Sequence, residues 1–220
     1  MKRLHAIILG ATGATGQEIL KLLLNNANFS KITVFVRRSI DIKHDKLTVH
    51  KIDFSRLKDY KKLVKGDIFF SSLGTTRKDA GGKNNQYLVD YTYQYEFAKM
   101  ASENNVYLYS LVSSVGANEN SFFFYPKIKG ALEKSIMKLD FKLIHIFQPP
   151  SLIRQSNLMR SGEKISISIL NKLNKVGLLT SLKPLHVYDL ANKMINESLK
   201  EQKSQISIYG PKDLIYETWY

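Results

Sequence analysis

The sequence predicts a doubly wound α/β fold, in which helices cover both faces of a mostly parallel sheet. Short apolar, β-branched segments alternate with helix-length segments along most of the chain, and this alternation is typical of strands joined by helical crossovers. The first segment, residues 4–9, is almost entirely apolar, as expected of a strand that is buried on both faces. A glycine-rich turn follows it directly.

Six strands and four helices are predicted before residue 150. The strands cover residues 4–9, 32–36, 47–52, 67–73, 106–113 and 143–147, and the helices cover residues 17–25, 57–64, 86–104 and 127–139. The spacing of Ile19, Leu20 and Leu23 places them on one side of the first helix. Pro149 and Pro150 end the sixth strand, because proline has no backbone N–H to donate.

The pattern is looser after residue 150. Helices are predicted at 165–173 and 187–199, and a last strand at 206–209. Asp189 lies near the start of the second of these helices, where a carboxylate stabilises the free N–H groups. We expect one domain over residues 1–220, with 151–185 and 200–220 forming a small substrate-side lobe.

The composition excludes several classes of protein. The net charge is +14, but the lysines are scattered along the chain without a block of like charges, so we expect no nucleic-acid partner. No apolar run approaches the ~20 residues of a membrane helix, and the stretch after Lys2 and Arg3 ends at Gly10, too early for a signal peptide. The chain has no cysteine, which excludes disulfides and thiolate metal sites, and we expect a cytoplasmic protein. No histidine has metal-ligand spacing.

Gly10, Gly13 and Gly16 lie three residues apart between the first predicted strand and the first helix. In that context the first glycine permits a tight turn, the second lets the backbone approach a pyrophosphate, and the third permits close packing of helix and strand. Free N–H groups at the start of the helix favour phosphate. The sequence therefore predicts a Rossmann-type dinucleotide site; the alternative is a glycine-rich turn that binds no ligand.

The end of the second predicted strand indicates which dinucleotide is bound. A carboxylate there would bind the ribose 2′-hydroxyl of NAD, but the chain has Arg37 and Arg38 and no acid before Asp41. Guanidinium groups suit the 2′-phosphate of NADP. We therefore expect NADP(H) rather than NAD(H); the alternative is that both arginines are ordinary surface charges.

Tyr125 and Lys129 are the candidate pair for proton transfer. Residues four apart share one face of a helix, and a nearby ammonium favours the phenolate form of a tyrosine. The pair follows the fifth predicted strand, which ends at Ser113 and Ser114. Ligands in open α/β sheets bind at the carboxyl ends of strands, so a serine there could bind a substrate carbonyl.

This pair is selected by its position after the fifth predicted strand, because a tyrosine and a lysine four residues apart also occur by chance. Tyr95 and Lys99 have the same spacing, but they fall in the middle of a predicted helix, where Tyr95 is expected to pack. The segment Phe122–Phe124 leaves two alternatives open, since these rings could line a substrate pocket or pack in the core.

Together these motifs resemble the short-chain dehydrogenase/reductase superfamily. More narrowly, the chain resembles the atypical NAD(P)-binding branch that includes the Tat-interacting proteins. The segments that carry the narrower resemblance are Ser-Leu-Gly-Thr-Thr-Arg at 72–77, Ala-Gly at 80–81, Val-Asp-Tyr at 89–91, Ser-Ser-Val-Gly-Ala at 113–117 and Pro-Leu-His-Val-Tyr-Asp at 184–189. One departure is Gln148-Pro149-Pro150, because the family often has Arg-Pro-Gly there, next to the nicotinamide.

The resemblance assigns a role to each candidate residue. The residues expected to contact the cofactor phosphates are Gly10, Thr12, Gly13, Thr15 and Gly16. The residues expected to contact the adenosine and ribose groups are Arg37, Arg38, Asp53, Leu73 and Gly74. The catalytic residues would be Ser114, Tyr125 and Lys129.

Two hypotheses about function follow. The first is an NADPH-dependent reductase or dehydrogenase that acts on a small carbonyl or alcohol, as a monomer or homodimer with no metal and no membrane partner. The second is a regulatory protein that binds NADP(H) without turnover. A nucleic-acid binder driven by the net charge of +14 is a third alternative, which steeply salt-dependent DNA binding would support.

Overall fold

The computed structural model describes residues 3–155, 158, 183–202 and 204–215. Its main sheet consists of β1 (Leu4–Leu9), β2 (Phe29–Val36), β3 (Leu47–Lys51), β4 (Ile68–Ser71), β5 (Leu108–Val112), β6 (Leu143–Phe147) and β9 (Ile206–Tyr209). A separate two-residue pair consists of β7 (Leu152–Ile153) and β8 (Leu185–His186).

All pairings within the main sheet are parallel, and the strand order is β3-β2-β1-β4-β5-β6-β9. The chain moves outward from β1 to β3 and then returns to β4 on the other side of β1. This reversal creates a crevice at the carboxyl ends of β1 and β4, where open α/β sheets bind their ligands. The predicted fold class is confirmed.

The helices are α1 (Ala14–Leu24), α2 (Arg77–Ala80), α3 (Lys83–Tyr87), α4 (Tyr93–Glu103), α5 (Phe124–Ile136), α6 (Val187–Ser198) and α7 (Pro211–Ile215). A π-helical turn, Leu88–Thr92, joins α3 to α4, and a 3₁₀ segment, Phe54–Leu63, follows β3.

Two apolar cores lie on opposite faces of the sheet, which makes the fold doubly wound. Ala6 and Ile8 of β1 pack with α1 and α6, and Ile7 and Leu9 pack with α4 and α5. Alternate residues of one strand therefore reach both cores, because successive side chains of a strand point to opposite faces. This explains the uninterrupted apolar run in the sequence.

Several predicted boundaries are wrong by a few residues. The first helix begins at Ala14 and not at 17, and α5 begins at Phe124 and not at 127. Pro126 is accommodated in the first turn of α5, where its missing N–H has no helical acceptor to lose. The predicted helix at 57–64 is instead the 3₁₀ segment, with a kink at Arg56. The predicted helix at 165–173 and much of the predicted lobe at 151–185 and 200–220 lie outside the described residues. No helix in the described ranges is both long and apolar enough to cross a membrane.

Candidate functional site

The glycine turn between β1 and α1 is closed by contacts that exclude side chains. Gly10 has φ +91°, and a Cβ on it would lie 2.6 Å from the backbone nitrogen of Leu73. A Cβ on Gly16 would lie 2.0 Å from the carbonyl oxygen of Gly10. Gly13 donates its N–H to that same oxygen at 2.9 Å. The turn therefore presses the start of α1 against β1 and β4, as the glycine spacing predicts.

The start of α1 has the properties of an anion site. Gly13 caps the helix without any side-chain hydrogen bond, and the first turn contains no acidic residue. Thr12 and Gly13 are exposed, whereas Thr15 is buried. Free N–H groups and the helix dipole attract phosphate. These residues fit the diphosphate of a dinucleotide.

The candidate adenosine contacts lie at the carboxyl ends of β2 and β3. Arg37 and Arg38 follow β2 directly and are exposed. Asp53 follows β3, and its Oδ1 accepts hydrogen bonds from the backbone N and the Oγ of Ser55 at 2.8 and 2.7 Å. These bonds hold the pKa of Asp53 below its usual range. Asp53 is therefore an ionised acceptor on the surface beside the crevice.

Leu73 and Gly74 follow β4 and form the other side of the crevice. Leu73 is half-buried against the core, and Gly74 is exposed. The Oδ1 of Asp90, in the π-helical turn, accepts the N–H of Thr75 at 3.2 Å. Asp90 is itself buried, and sequence reasoning missed it as a site residue, although it lies in the Val-Asp-Tyr segment at 89–91 that supports the resemblance.

Tyr125 and Lys129 occupy successive turns at the start of α5. Tyr125 is 40% exposed, whereas Lys129 is 2% exposed. Lys129 Nζ donates to the carbonyl oxygen of Val112, at the end of β5, at 3.0 Å. Burial lowers the pKa of Lys129, and the negative charges of Asp90 and Glu133 oppose that shift. A buried lysine thus lies one helical turn from an accessible phenol.

Ser114 lies just beyond the end of β5, where the sequence predicts it. It is half-buried, and its Oγ donates to the carbonyl oxygen of Val115 at 3.2 Å. Ser113 instead points into the fold, where its Oγ donates to Glu133. Of the two adjacent serines, Ser114 is therefore the one with an accessible side chain.

Glu133 was also missed by sequence reasoning. Gln148 Nε2 lies 3.0 Å from both carboxylate oxygens of Glu133. The only sequence signal was the position of Glu133, four residues after Lys129 and so on the same helix face. Gln148, the first residue of the departure from Arg-Pro-Gly, is thus fixed by α5, and its backbone N donates to Tyr209 O at 2.9 Å.

The remaining aromatic candidates differ in how exposed their side chains are. Phe122 is fully exposed and Phe123 largely so, which excludes them from the core. Lys83 Nζ lies 5.4 Å from the ring centre of Phe124. Tyr95 stacks on Tyr91 at 5.9 Å and packs against the core, as expected of a packing residue.

A family model described as NAD(P)H-binding matches residues 10–139. The chain belongs to the NAD(P)H-binding family. The matched region extends from the glycine turn through the end of α5, so it includes every candidate site residue named above.

Curated relatives match most of the chain. The mitochondrial protein FMP52 of Candida albicans is 32% identical over 96% of this chain and 97% of its own length. Protein HTATIP2 of Rattus norvegicus is 33% identical over 74% of this chain and 69% of its own length. The predicted resemblance to the Tat-interacting proteins is thereby confirmed.

Solved structures confirm the fold. The Bordetella bronchiseptica enzyme WbmG in complex with NAD has a TM-score of 0.70 at 14% identity, over 95% of this chain and 73% of that one. MoeE5 in complex with UDP-glucuronic acid and NAD also has a TM-score of 0.70 at 14% identity, over 94% of this chain and 76% of that one.

The expectation of a cytoplasmic protein is wrong. The FMP52 relatives from several yeasts are named mitochondrial proteins. The expectation depended on the absence of cysteine, which excludes disulfides but does not distinguish one compartment from another.

Proposed function

We propose that the protein is an NADPH-dependent oxidoreductase that interconverts a small carbonyl compound and its alcohol. The observation that carries the proposal is the arrangement at the start of α5, where the half-exposed Tyr125 precedes the buried Lys129 by one turn. The pair lies at the same edge of the sheet as the glycine turn, because both follow the carboxyl ends of parallel strands.

The chain's own residues would handle the proton. A bound nicotinamide cofactor supplies or accepts the hydride. Tyr125 is placed to donate the proton to the substrate oxygen, and the ammonium of Lys129 favours the phenolate that remains. The hydroxyl of Ser114 can orient the same oxygen by exchanging its 3.2 Å bond to Val115 for a bond to the substrate.

The preference for NADP(H) over NAD(H) is part of the proposal. Its support is the exposed pair Arg37 and Arg38 directly after β2, with no carboxylate before Asp41. A 2′-phosphate would be bound there by charge and by the planar fork of a guanidinium.

The proposal is tested by a panel of small carbonyl compounds assayed with NADPH. Where turnover is found, Tyr125→Phe should lower kcat about 100-fold or more, the usual contribution of a general acid. Tyr95→Phe is the matched control, since Tyr95 and Lys99 have the same spacing on another helix, and it should keep the parent's activity. Full activity in the Tyr125 variant would remove the assignment of the acid. NADPH binding without turnover on the whole panel would favour the regulatory alternative.

A further inference from the structure

The carboxylate of Glu133 is buried where three elements meet. Glu133 is 6% exposed and lies one turn after Lys129 on α5. It accepts hydrogen bonds from Ser113 Oγ, beyond β5, and from Gln148 Nε2, beyond β6, the latter at 3.0 Å to each oxygen. A buried carboxylate is costly unless its oxygens are hydrogen-bonded, and these donors meet that requirement.

The segments that follow β5 and β6 are also hydrogen-bonded to each other. Ser113 donates its N–H to Phe147 O at 2.7 Å, and Val115 donates its N–H to Pro149 O at 3.0 Å. Ser114 lies between these two bonds. The backbone around Ser114 is therefore hydrogen-bonded to the segment after β6. Glu133 in turn connects both segments to α5, the helix that carries Tyr125.

The hydrogen-bond partners of Glu133 carry no charge of their own. A serine hydroxyl and a glutamine amide are both neutral. The charged groups that act on Lys129 are Asp90, from the π-helical turn, and Glu133, from its own helix. Both favour the protonated ammonium against the effect of burial.

We propose that Glu133 is a positioning residue, which fixes the ends of β5 and β6 on α5 and places its carboxylate one helical turn from the buried amino group of Lys129. It acts through Ser113 and Lys129 and does not touch the substrate. The inference depends on the proposed function only in taking Lys129 as catalytic.

The test is a titration of Lys129 by NMR of the labelled lysine side chain, in protein without substrate or cofactor. Glu133→Gln keeps the shape and removes the charge, so the protonation constant of Lys129 should fall about tenfold, or one pH unit. Glu103→Gln is the matched control, because Glu103 pairs with Lys61 on the surface at 2.7 Å, and it should leave the Lys129 titration unchanged. A folded Glu133→Gln protein with the parent's Lys129 titration would overturn the proposal.

A second variant covers the case in which Glu133→Gln does not fold. The double variant Glu133→Gln with Gln148→Glu exchanges amide and carboxylate and keeps them facing each other. Its Lys129 protonation constant should stay within about threefold of the parent, or half a pH unit; a tenfold fall would contradict the inference. Neither measurement needs turnover, so a carbonyl panel without activity would remove the proposed function and leave this result standing.

Discussion

At the scale of single residues, the pKa of Lys129 depends on both its burial and the charges around it. Lys129 is 2% exposed, and the negative charges of Asp90 and Glu133 oppose the lowering of its pKa by burial. An ion pair on the surface contributes little to stability, whereas removal of one partner from a buried set leaves uncompensated charge. The same side chain would therefore serve both the proposed catalysis and the stability of the fold.

Replacement of Lys129 should consequently destabilise the fold. We expect Lys129→Met to lower the free energy of unfolding by about 3 kcal/mol, because Asp90 and Glu133 would be left buried without their cation. Urea denaturation at pH 7 measures this. Lys134→Met is the control on the same helix: Lys134 forms an exposed ion pair with Glu119, so the change should stay below ~1 kcal/mol. Equal effects of the two substitutions would contradict the interpretation.

Arg37 and Arg38 are expected to decide cofactor preference. Arg37→Ala combined with Arg38→Ala should weaken NADPH binding about tenfold or more, since charge-assisted bonds to phosphate are lost, and should leave NADH binding nearly unchanged. Calorimetry with both cofactors measures the two affinities. Arg56→Ala, which removes an exposed arginine paired with Asp59 at 2.6 Å, should change neither. Equal affinity of the parent for NADH and NADPH would refute the preference.

At the scale of elements, the start of α1 is both a packing contact of the fold and the proposed binding site for the cofactor diphosphate. The glycine spacing predicts both the tight turn and its place between β1 and α1. The boundary at Ala14 could not be predicted, because Thr15 and Gly16 are poor helix formers, and the close approach of Gly16 to the carbonyl oxygen of Gly10 is a tertiary contact that the sequence does not show. In the same way, no local pattern links Gln148 to Glu133, 15 residues apart on different elements.

A substitution at Gly13 can distinguish the contribution of this turn to ligand binding from its contribution to stability. A Cβ on Gly13 would have its nearest neighbour at 3.4 Å, the oxygen of Gly10, so the fold can accept it. Gly13→Ala should cost about 1 kcal/mol or less of stability, as alanine is a poor helix cap. NADPH binding should nevertheless fall at least about tenfold, since the methyl group projects where a phosphate would approach the backbone.

Denaturation and calorimetry on one preparation test both parts of this prediction. Gly210→Ala is the control outside the site, where a Cβ would lie 3.7 Å from Asp213 Oδ2, and both quantities should match the parent. Unchanged NADPH affinity in the Gly13 variant would show that the diphosphate does not bind at this turn.

At the scale of the whole molecule, the central sheet imposes a pH limit on stability. His145 lies in β6 between Ile144 and Ile146 and is fully buried. Neither ring nitrogen has a hydrogen-bond partner among the described residues. Burial lowers the pKa of His145 from 6.5 to about 4, although the negative charge of Glu197 opposes the shift.

The sign of the pH dependence follows from this depressed pKa. Between pH 6.5 and about 4 the unfolded chain binds a proton at His145 and the folded protein does not, so stability is full above pH 6.5 and falls as the pH decreases. The loss from this residue should approach roughly 3 kcal/mol at pH 4. His145→Leu fills a similar apolar space and cannot titrate. The test is urea denaturation of both proteins at pH values from 7 to 4. As the pH falls, the unfolding free energy of the parent should decrease relative to that of the leucine variant. If the two unfolding free energies instead change in parallel with pH, His145 does not set the limit.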